Sequence, residues 1–282
     1  MRTLIFGAKG QLGRALVARF QREGETLGVD LPEVDVTVAE AVTDSLNTFR
    51  PGLVINAAAY TDVEQAEDDA GAALLVNETG AANVARAAAA RSVPVVYYST
   101  DYVFDGTKTT PYEPDDPPHP VGAYARSKAA GEAATRAANP CHFVVRTAWL
   151  YGPGGNHFVE KILRAAATRP SLDVVNDETG SPTYTVDLAD ATAALCATEA
   201  YGVYHAVNAG ACTRYQMAQA ILRLAKSDVP VTACRSAAFP TKAPRPVYSV
   251  LSNRKLEAAT GCVMRSWQAA LEDYMHRRED AA

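Results

Sequence analysis

Arg2-Thr3-Leu4-Ile5-Phe6-Gly7-Ala8-Lys9-Gly10-Gln11-Leu12-Gly13 begins as a short apolar strand and runs into a glycine turn. Ala15-Leu16-Val17-Ala18-Arg19-Phe20 follows with the spacing of an amphipathic helix. Gly7, Gly10 and Gly13 permit the tight turn and let backbone N–H groups approach a pyrophosphate at the helix N-terminus. The Gly-x-x-Gly-x-x-Gly spacing differs from Gly-x-Gly-x-x-Gly, so the strand–turn–helix setting, rather than the glycines alone, predicts a nucleotide site.

Outward from that unit, apolar runs alternate with helical stretches. Strands are expected at Thr3–Phe6, Thr26–Val29, Leu53–Ile55, Val93–Tyr98 and Phe143–Arg146, the rhythm of a parallel βαβ sheet. After about Tyr151 the rhythm becomes irregular. Leu172–Val175 and Gly202–Val207 read as strands, and Arg214–Ala225 and Trp267–Arg277 as helices. No low-complexity linker or internal repeat divides the chain, and the Pro-rich run from Pro111 to Pro120 reads as a loop near the site. A second lobe is expected to pack on the first, with substrate in the cleft between them.

The chemistry-bearing stretch is Ser99-Thr100-Asp101-Tyr102-Val103-Phe104-Asp105-Gly106, followed by Tyr124-Ala125-Arg126-Ser127-Lys128. Thr100 falls at the carboxyl end of a buried strand, where ligands bind in open parallel sheets. Tyr124 and Lys128 are four apart in an Ala- and Glu-rich segment and so share one helix face. The expectation is that the Lys128 ammonium lowers the Tyr124 pKa toward working pH. A hydroxyl, a Tyr and a Lys so arranged suit the reduction of a carbonyl by hydride. Tyr-x-x-x-Lys alone is a weak signal; its conjunction with the glycine loop, in order and on the expected elements, is a strong one.

These motifs carry a family resemblance that spans essentially the whole chain. Its more specific parts are Asn56-Ala57-Ala58-Ala59-Tyr60-Thr61-Asp62-Val63-Glu64-Gln65-Ala66-Glu67, Ser99 to Gly106, and Arg146-Thr147-Ala148-Trp149-Leu150-Tyr151-Gly152. Gly180-Ser181-Pro182-Thr183 and the late Arg245-Pro246 with Ser249, Leu251, Lys255 and Leu256 add to them. The chain resembles the dTDP-4-dehydrorhamnose reductase family of the extended short-chain dehydrogenase/reductases.

The resemblance implies an α/β fold: a Rossmann-type, doubly wound parallel sheet with a smaller, discontinuous C-terminal substrate-binding lobe. The expected division is 1–150, with parts of 180–200 and 205–212, for the NAD(P)-binding body, and the remaining segments of 151–282 for the lobe. Carried over by position, Thr100, Tyr124 and Lys128 are the catalytic trio. Gly10, Gln11, Leu12, Asp30, Asp35, Val36, Ala58, Ala59, Tyr60 and Tyr98 are expected at the cofactor, beside Gly7, Gly13, Tyr124 and Lys128. Thr100, Asp101 and Trp149 are expected to face a dTDP-sugar. The implied reaction is NAD(P)H-dependent reduction of the C4 keto group of an NDP-4-keto-6-deoxysugar, dTDP-4-dehydro-L-rhamnose first among them.

Other readings stay open beside it. They are a related 4-keto-deoxysugar, or a non-catalytic subunit resembling the β subunit of methionine adenosyltransferase. A 4,6-dehydratase or epimerase on the same scaffold is disfavoured, because the superfamily's dehydratases place Asp-Glu after the threonine and here Asp101 is followed by Tyr102.

Several residues read two ways. Asp30, after the second strand, suits the adenosine ribose of NAD or is a plain loop acid. Lys9 suits the 2′-phosphate of NADP or is a solvated charge. The two hints conflict, and the resemblance tips the expectation to NADPH with NADH possible. Trp149 is a sugar or nucleotide wall, or a core aromatic. Arg245 pairs with a diphosphate, or with a surface acid.

A net charge of −5 and a pI near 5.6 argue against a nucleic-acid-binding surface. Cys141, Cys196, Cys212, Cys234 and Cys262 are scattered without metal spacing and are expected reduced. Met1 leads directly into the first strand, and no apolar run approaches the roughly 18 residues that span a bilayer. A cytoplasmic protein without membrane contact is expected. Some members of the family form dimers around magnesium held by glutamates; Ala15 and Val186 stand at those positions here. No metal is expected, and a monomer or metal-independent dimer is.

Overall fold

Leu4 and Phe6 point into one helical layer and Thr3 and Ile5 toward the other, so all of Thr3–Phe6 (β1) is buried as a parallel-sheet strand must be. In a computed structural model that describes residues 1–279, the chain continues through β2 (Thr26–Val29), β3 (Leu53–Asn56), β4 (Val95–Thr100) and β5 (His142–Thr147). β6 (Leu172–Val175), β7 (Gly202–His205) and β8 (Val231–Cys234) follow. Six strands in the order β7-β5-β4-β3-β1-β2 form one sheet, parallel at every pairing. β6 and β8 pair with each other, also in parallel, apart from that sheet.

Helices cover both faces. Those used below are α1 (Gln11–Phe20), α2 (Ala39–Phe49), α3 (Ala81–Ala89), α4 (Ala123–Ala138), α5 (Phe158–Ala166), α6 (Thr185–Cys196) and α7 (Arg214–Leu224). Leu12, Leu16 and Phe20 of α1 and Leu188 and Leu195 of α6 close over Ile5, Ile55 and Val96. Val42 and Leu46 of α2 and Val84 and Ala88 of α3 cover Leu4, Phe6 and Val54 on the opposite face. The fold is therefore the doubly wound α/β arrangement expected. A separate core joins Val159 and Ile162 to Leu172, Val174, Met217 and Ile221 in the C-terminal part.

Boundaries differ from the sequence reading where the ladder decides them. β4 starts at Val95, after Pro94, which has no N–H to give, and runs to Thr100 itself. The last sheet strand is Gly202–His205, shorter than the expected Gly202–Val207 and earlier than the 205–212 segment expected to rejoin the body. Ala206 still donates to Arg146 O, but Val207 N–H turns to Asn253 Oδ1 and the chain leaves the sheet.

One interaction fixes α4 on the sheet. Arg146 of β5 donates from Nε and Nη2 to Glu132 Oε1 and Oε2 at 2.9 and 2.8 Å, and from Nη1 to Pro114 O at 3.1 Å. The two side chains are only 2% and 4% exposed. Gly131 lets the helix come this close, since a Cβ there would lie 2.1 Å from Asn77 O and 2.2 Å from the Tyr97 hydroxyl. Removing one partner of a buried pair leaves an uncompensated charge. Glu132→Ala should therefore cost about 3–5 kcal/mol, and Glu132→Leu combined with Arg146→Met should restore most of it. Urea unfolding midpoints at constant m check this; equal losses in the single and double variants would refute it.

Candidate active site

Thr100 ends β4, and a short 3-10 turn, Asp101–Val103, follows. The Thr100 hydroxyl accepts the Tyr102 N–H at 3.2 Å and donates to Asp101 Oδ1 at 3.0 Å. The first turn of α4, held where Ala123 N–H donates to Glu67 Oε1 at 2.6 Å, carries Tyr124, with Lys128 one turn on. Thr100, Asp101, Tyr124 and Lys128 line one cavity of about 380 Å³. Gly10, Gln11, Leu12 and Gly13 line it too, as do Ala58, Ala59, Tyr98 and Trp149. The glycine loop and the hydroxyl cluster thus face one space.

The loop is built for close approach. Gly7 sits at φ +76°, and a Cβ there would lie 2.4 Å from Ala58 N; at Gly13 it would lie 2.0 Å from Gly7 O. Behind the loop a second cavity of about 360 Å³ is lined by Gly7, Asp30, Asp35, Val36, Ala58 and Tyr60. Asp30 Oδ2 accepts Lys9 N–H and Oδ1 accepts Leu31 N–H, each at 2.8 Å, so this acid braces the loop while edging the cavity. The Lys9 ammonium reaches Leu31 O at 2.8 Å and Glu33 at 2.7 Å. Asp35 Oδ1 is held by the Thr37 N–H and hydroxyl, and the Tyr98 hydroxyl lies 2.7 Å from that of Thr192.

A third cavity, about 640 Å³, opens on the C-terminal side between α5, α7 and β6. Trp149, Leu150, Gln11 and Thr61 line both it and the first. Trp149 has φ +48°, and the Arg214 guanidinium lies 3.4 Å from its ring centroid. Arg245 also lines this space but is paired with Glu64 at 3.1 Å.

The sequence matches the RmlD substrate binding domain family over residues 1–279. The chain belongs to that family. It is 44% identical over 279 residues to a dTDP-4-dehydrorhamnose reductase of Mycobacterium tuberculosis (strain H37Rv), covering 96% of this chain and 91% of the relative. A solved dTDP-4-dehydrorhamnose reductase of Clostridium acetobutylicum superposes with TM-score 0.96 at 40% identity, covering 99% of this chain and all of that one. One from Bacillus anthracis, solved with NADP, gives 0.95 at 36% identity over 98% and 99% of the two chains.

Within this RmlD-family site the electrostatics correct one expectation. Tyr124 is pushed well up, not down: burial dominates, the neighbouring Thr100 hydroxyl pulls it back, and Asp101 and Tyr102 raise it further. Lys128 falls to about 7, because burial penalises the ammonium more than Glu132 supports it. Its Nζ lies 4.2 Å from the centroid of the Tyr97 ring. At these buried positions each charge costs more than its neighbour returns. Asp101 rises to about 6, again by burial, against the nearby Ser249 hydroxyl, the Thr100 hydroxyl bonded to its Oδ1 and the charge of Arg214; its Oδ2 has no hydrogen-bond partner among the described residues.

Two residues here escaped sequence reading. Arg214 opens α7 just after Thr213, whose capping box with Gln216 is a legible helix start, but nothing in the sequence aims it at Trp149. Asn77, in a π-helical turn over Leu75–Gly80, clamps Tyr60 N–H and O at 2.9 and 3.0 Å and donates to Ser127 beside Lys128 at 2.9 Å. Among the described residues no group of three or more His, Cys, Asp or Glu is placed to hold a metal ion, and no helix is long and apolar enough to cross a membrane.

Between about pH 7 and 10.5 the folded protein binds fewer protons at Lys128 than the unfolded chain does, so this residue makes stability rise with pH across that window. Lys128→Met should raise the melting temperature at pH 6.5, and the gap should narrow by pH 10. A gap that does not change with pH would contradict the buried-ammonium account.

Proposed function

We propose that the chain is an NAD(P)H-dependent 4-ketoreductase of a dTDP-4-keto-6-deoxysugar, converting dTDP-4-dehydro-L-rhamnose to dTDP-L-rhamnose. The observation that carries this is the shared cavity, where a backbone-lined glycine loop and the Thr100, Tyr124 and Lys128 side chains face one space, in a chain with full-length reductase relatives. The body made of residues 1–150 with α6 and β7 is read as the cofactor half, and the rest as the substrate lobe. A monomer or metal-independent dimer in the cytoplasm, free of nucleic acid and membrane, completes the reading.

The glycine loop, packed on its own backbone at Gly7 and Gly13, lines the cavity with Gly10 to Gly13 at the start of α1 and suits a pyrophosphate, and the Asp30, Asp35 and Val36 cavity suits the adenosine end. Asp30 is occupied by two backbone N–H groups and Lys9 stands at the same rim, which supports NADPH with NADH also accepted. The bound nicotinamide supplies the hydride. Tyr124 gives its proton to the oxygen that becomes the C4 hydroxyl, and its raised pKa keeps that proton in place until then. Thr100 holds the same oxygen. Lys128 stabilises the Tyr124 oxygen once it is bare and orients the cofactor ribose. Trp149 and Asp101 face the sugar, and Arg214 with Arg245 lines the lobe cavity that suits the nucleoside diphosphate.

Loss of NAD(P)H absorbance on adding dTDP-4-dehydro-L-rhamnose is the direct test, with dTDP-4-keto-6-deoxy-D-glucose in parallel to separate substrates. No oxidation with either would defeat the reading. Tyr124→Phe should lower kcat by about 10²–10⁴-fold while cofactor affinity stays within a few-fold, because the hydroxyl acts chiefly in the transition state. Near wild-type kcat in that variant would remove Tyr124 as proton donor.

A further inference from the structure

The cavity of about 640 Å³ on the C-terminal side holds a cation without an acceptor. Arg214, the first residue of α7, is half-buried, and its guanidinium makes no hydrogen bond and no ion pair to any described residue. What it does make are two ring contacts, 3.4 Å to the centroid of Trp149 and 5.1 Å to that of Phe158 at the start of α5. Stacking of this kind uses the faces of the guanidinium and leaves free the N–H donors, which lie in its plane. A charge withdrawn from water is ordinarily paired. Here two aromatic rings hold the plane in position, and the donors are left for an acceptor from outside the chain.

The other cations of this cavity differ. Arg245 is taken: Nη2 donates to Glu64 Oε1 at 3.1 Å, while Glu64 Oε2 accepts the Lys242 N–H at 2.9 Å. The Lys242 ammonium lies on Asp68, so these contacts fasten the segment from 242 to 245 onto the loop that carries Glu64. Lys161 is a compact charge on a flexible stem, with no ring to fix it. Asp173 and Glu178 are the acids of the lining. Glu178 and Asp101 act on the Arg214 charge from beyond ion-pair distance. Of the three lining cations, Arg214 alone combines a fixed plane with free donors.

We propose, on the ketoreductase reading, that Arg214 receives the diphosphate of the substrate and, through its stack on Trp149, sets where the sugar lies against Thr100 and Tyr124. A planar fork takes two phosphoryl oxygens side by side, which an ammonium does not. Trp149 lines both this cavity and the one that holds Thr100, Tyr124 and Lys128. A guanidinium fixed by an anion on its edge therefore fixes the indole that the sugar meets. Preference for diphosphates over monophosphates resides in Arg214. Arg245 is a fastening residue, since it would have to give up Glu64 before it could reach a ligand.

Calorimetry on the NADP⁺-saturated protein tests this, because the glycine loop is then occupied and cannot take the anion itself. The probes are dTDP, dTMP and thymidine. The wild type should bind dTDP about tenfold or more tighter than dTMP. Arg214→Gln should lose about 10- to 100-fold in dTDP affinity and stay within a few-fold for thymidine, so that the dTDP preference collapses. Arg214→Lys should recover part of the loss, and Arg245→Gln should cost only a few-fold. Unchanged NADP⁺ affinity shows that each variant is folded. The protein has two tryptophans, Trp149 and Trp267, so fluorotryptophan labelling gives two ¹⁹F signals. The Trp149 signal should move on adding dTDP in the wild type and stay still in Arg214→Gln.

Equal losses for dTDP and thymidine would make Arg214 merely structural and overturn the proposal. So would an Arg245→Gln loss as large as that of Arg214→Gln, or a Trp149 signal that ignores bound dTDP. Turnover of a 4-keto sugar by a wild type whose dTDP affinity is indifferent to Arg214 leaves the reductase reading standing and removes this site. Arg214-dependent dTDP binding without turnover of either 4-keto sugar does the reverse. A wild type that binds no dTDP defeats both.

Discussion

The buried pair between Arg146 and Glu132 is the constraint on which the site depends. Arg146 lies opposite Ser99 in the β4–β5 register, one residue before Thr100 meets Thr147. Glu132 lies eight residues past Tyr124 and four past Lys128, on the same face of α4. A two-pronged hydrogen bond between them sets both the height and the rotation of that helix over the end of β4. Without it Tyr124 and Thr100 would belong to two elements joined by apolar packing and one long bond, from the Tyr97 hydroxyl of β4 to Lys128 O at 3.4 Å, which tolerates sliding. Such pairs add little net stability against a hydrophobic replacement. What this one contributes is geometry, and it does so within one helical turn of Lys128.

The same burial decides the chemistry. The cleft floor holds a lysine, a tyrosine and a carboxyl, and burial displaces each toward its neutral form. A sequence argument from charge alone predicts that an ammonium lowers the phenol. In the folded site desolvation outweighs that attraction, so the resting tyrosine is firmly protonated. For the proton donor of the proposed reduction this is the useful ground state. Charge then develops only as the proton leaves, in surroundings already oriented to receive it.

What could be read in advance follows from which signals are local. β1 with its glycine turn, the alternating apolar runs and the Tyr124–Lys128 spacing are each encoded within a dozen residues, and the structure brings Gly10, Thr100, Tyr124 and Lys128 to one cavity. The sixth strand was read at nearly the right place without its partner being evident, because Gly202–His205 joins the sheet through β5, nearly sixty residues earlier. Arg214 is similar: a capping box marks its helix, but only the packing of α7 against the cleft turns the guanidinium onto Trp149. Arg245 could be singled out by its place in the sequence, yet its partner Glu64 is set by the fold. Contacts across such separations are tertiary, and periodicity carries no information about them.

Trp149 is where the local and the distant meet. A non-glycine residue at φ +48° persists only when its surroundings over-determine it. Here the Arg214 guanidinium lies on the ring, and Gly180 leaves room for the indole, since a Cβ there would come 2.5 Å from it. The ring held in this way is a wall shared by the cavity of the hydroxyl cluster and the cavity of the C-terminal part. A ligand spanning both cavities would pass this indole, so under the proposed reading the backbone strain is spent where the two spaces join. The glycine at 180 and the arginine at 214 are thus tied to the cavity of Thr100, Tyr124 and Lys128 through a single side chain, although neither lines that cavity.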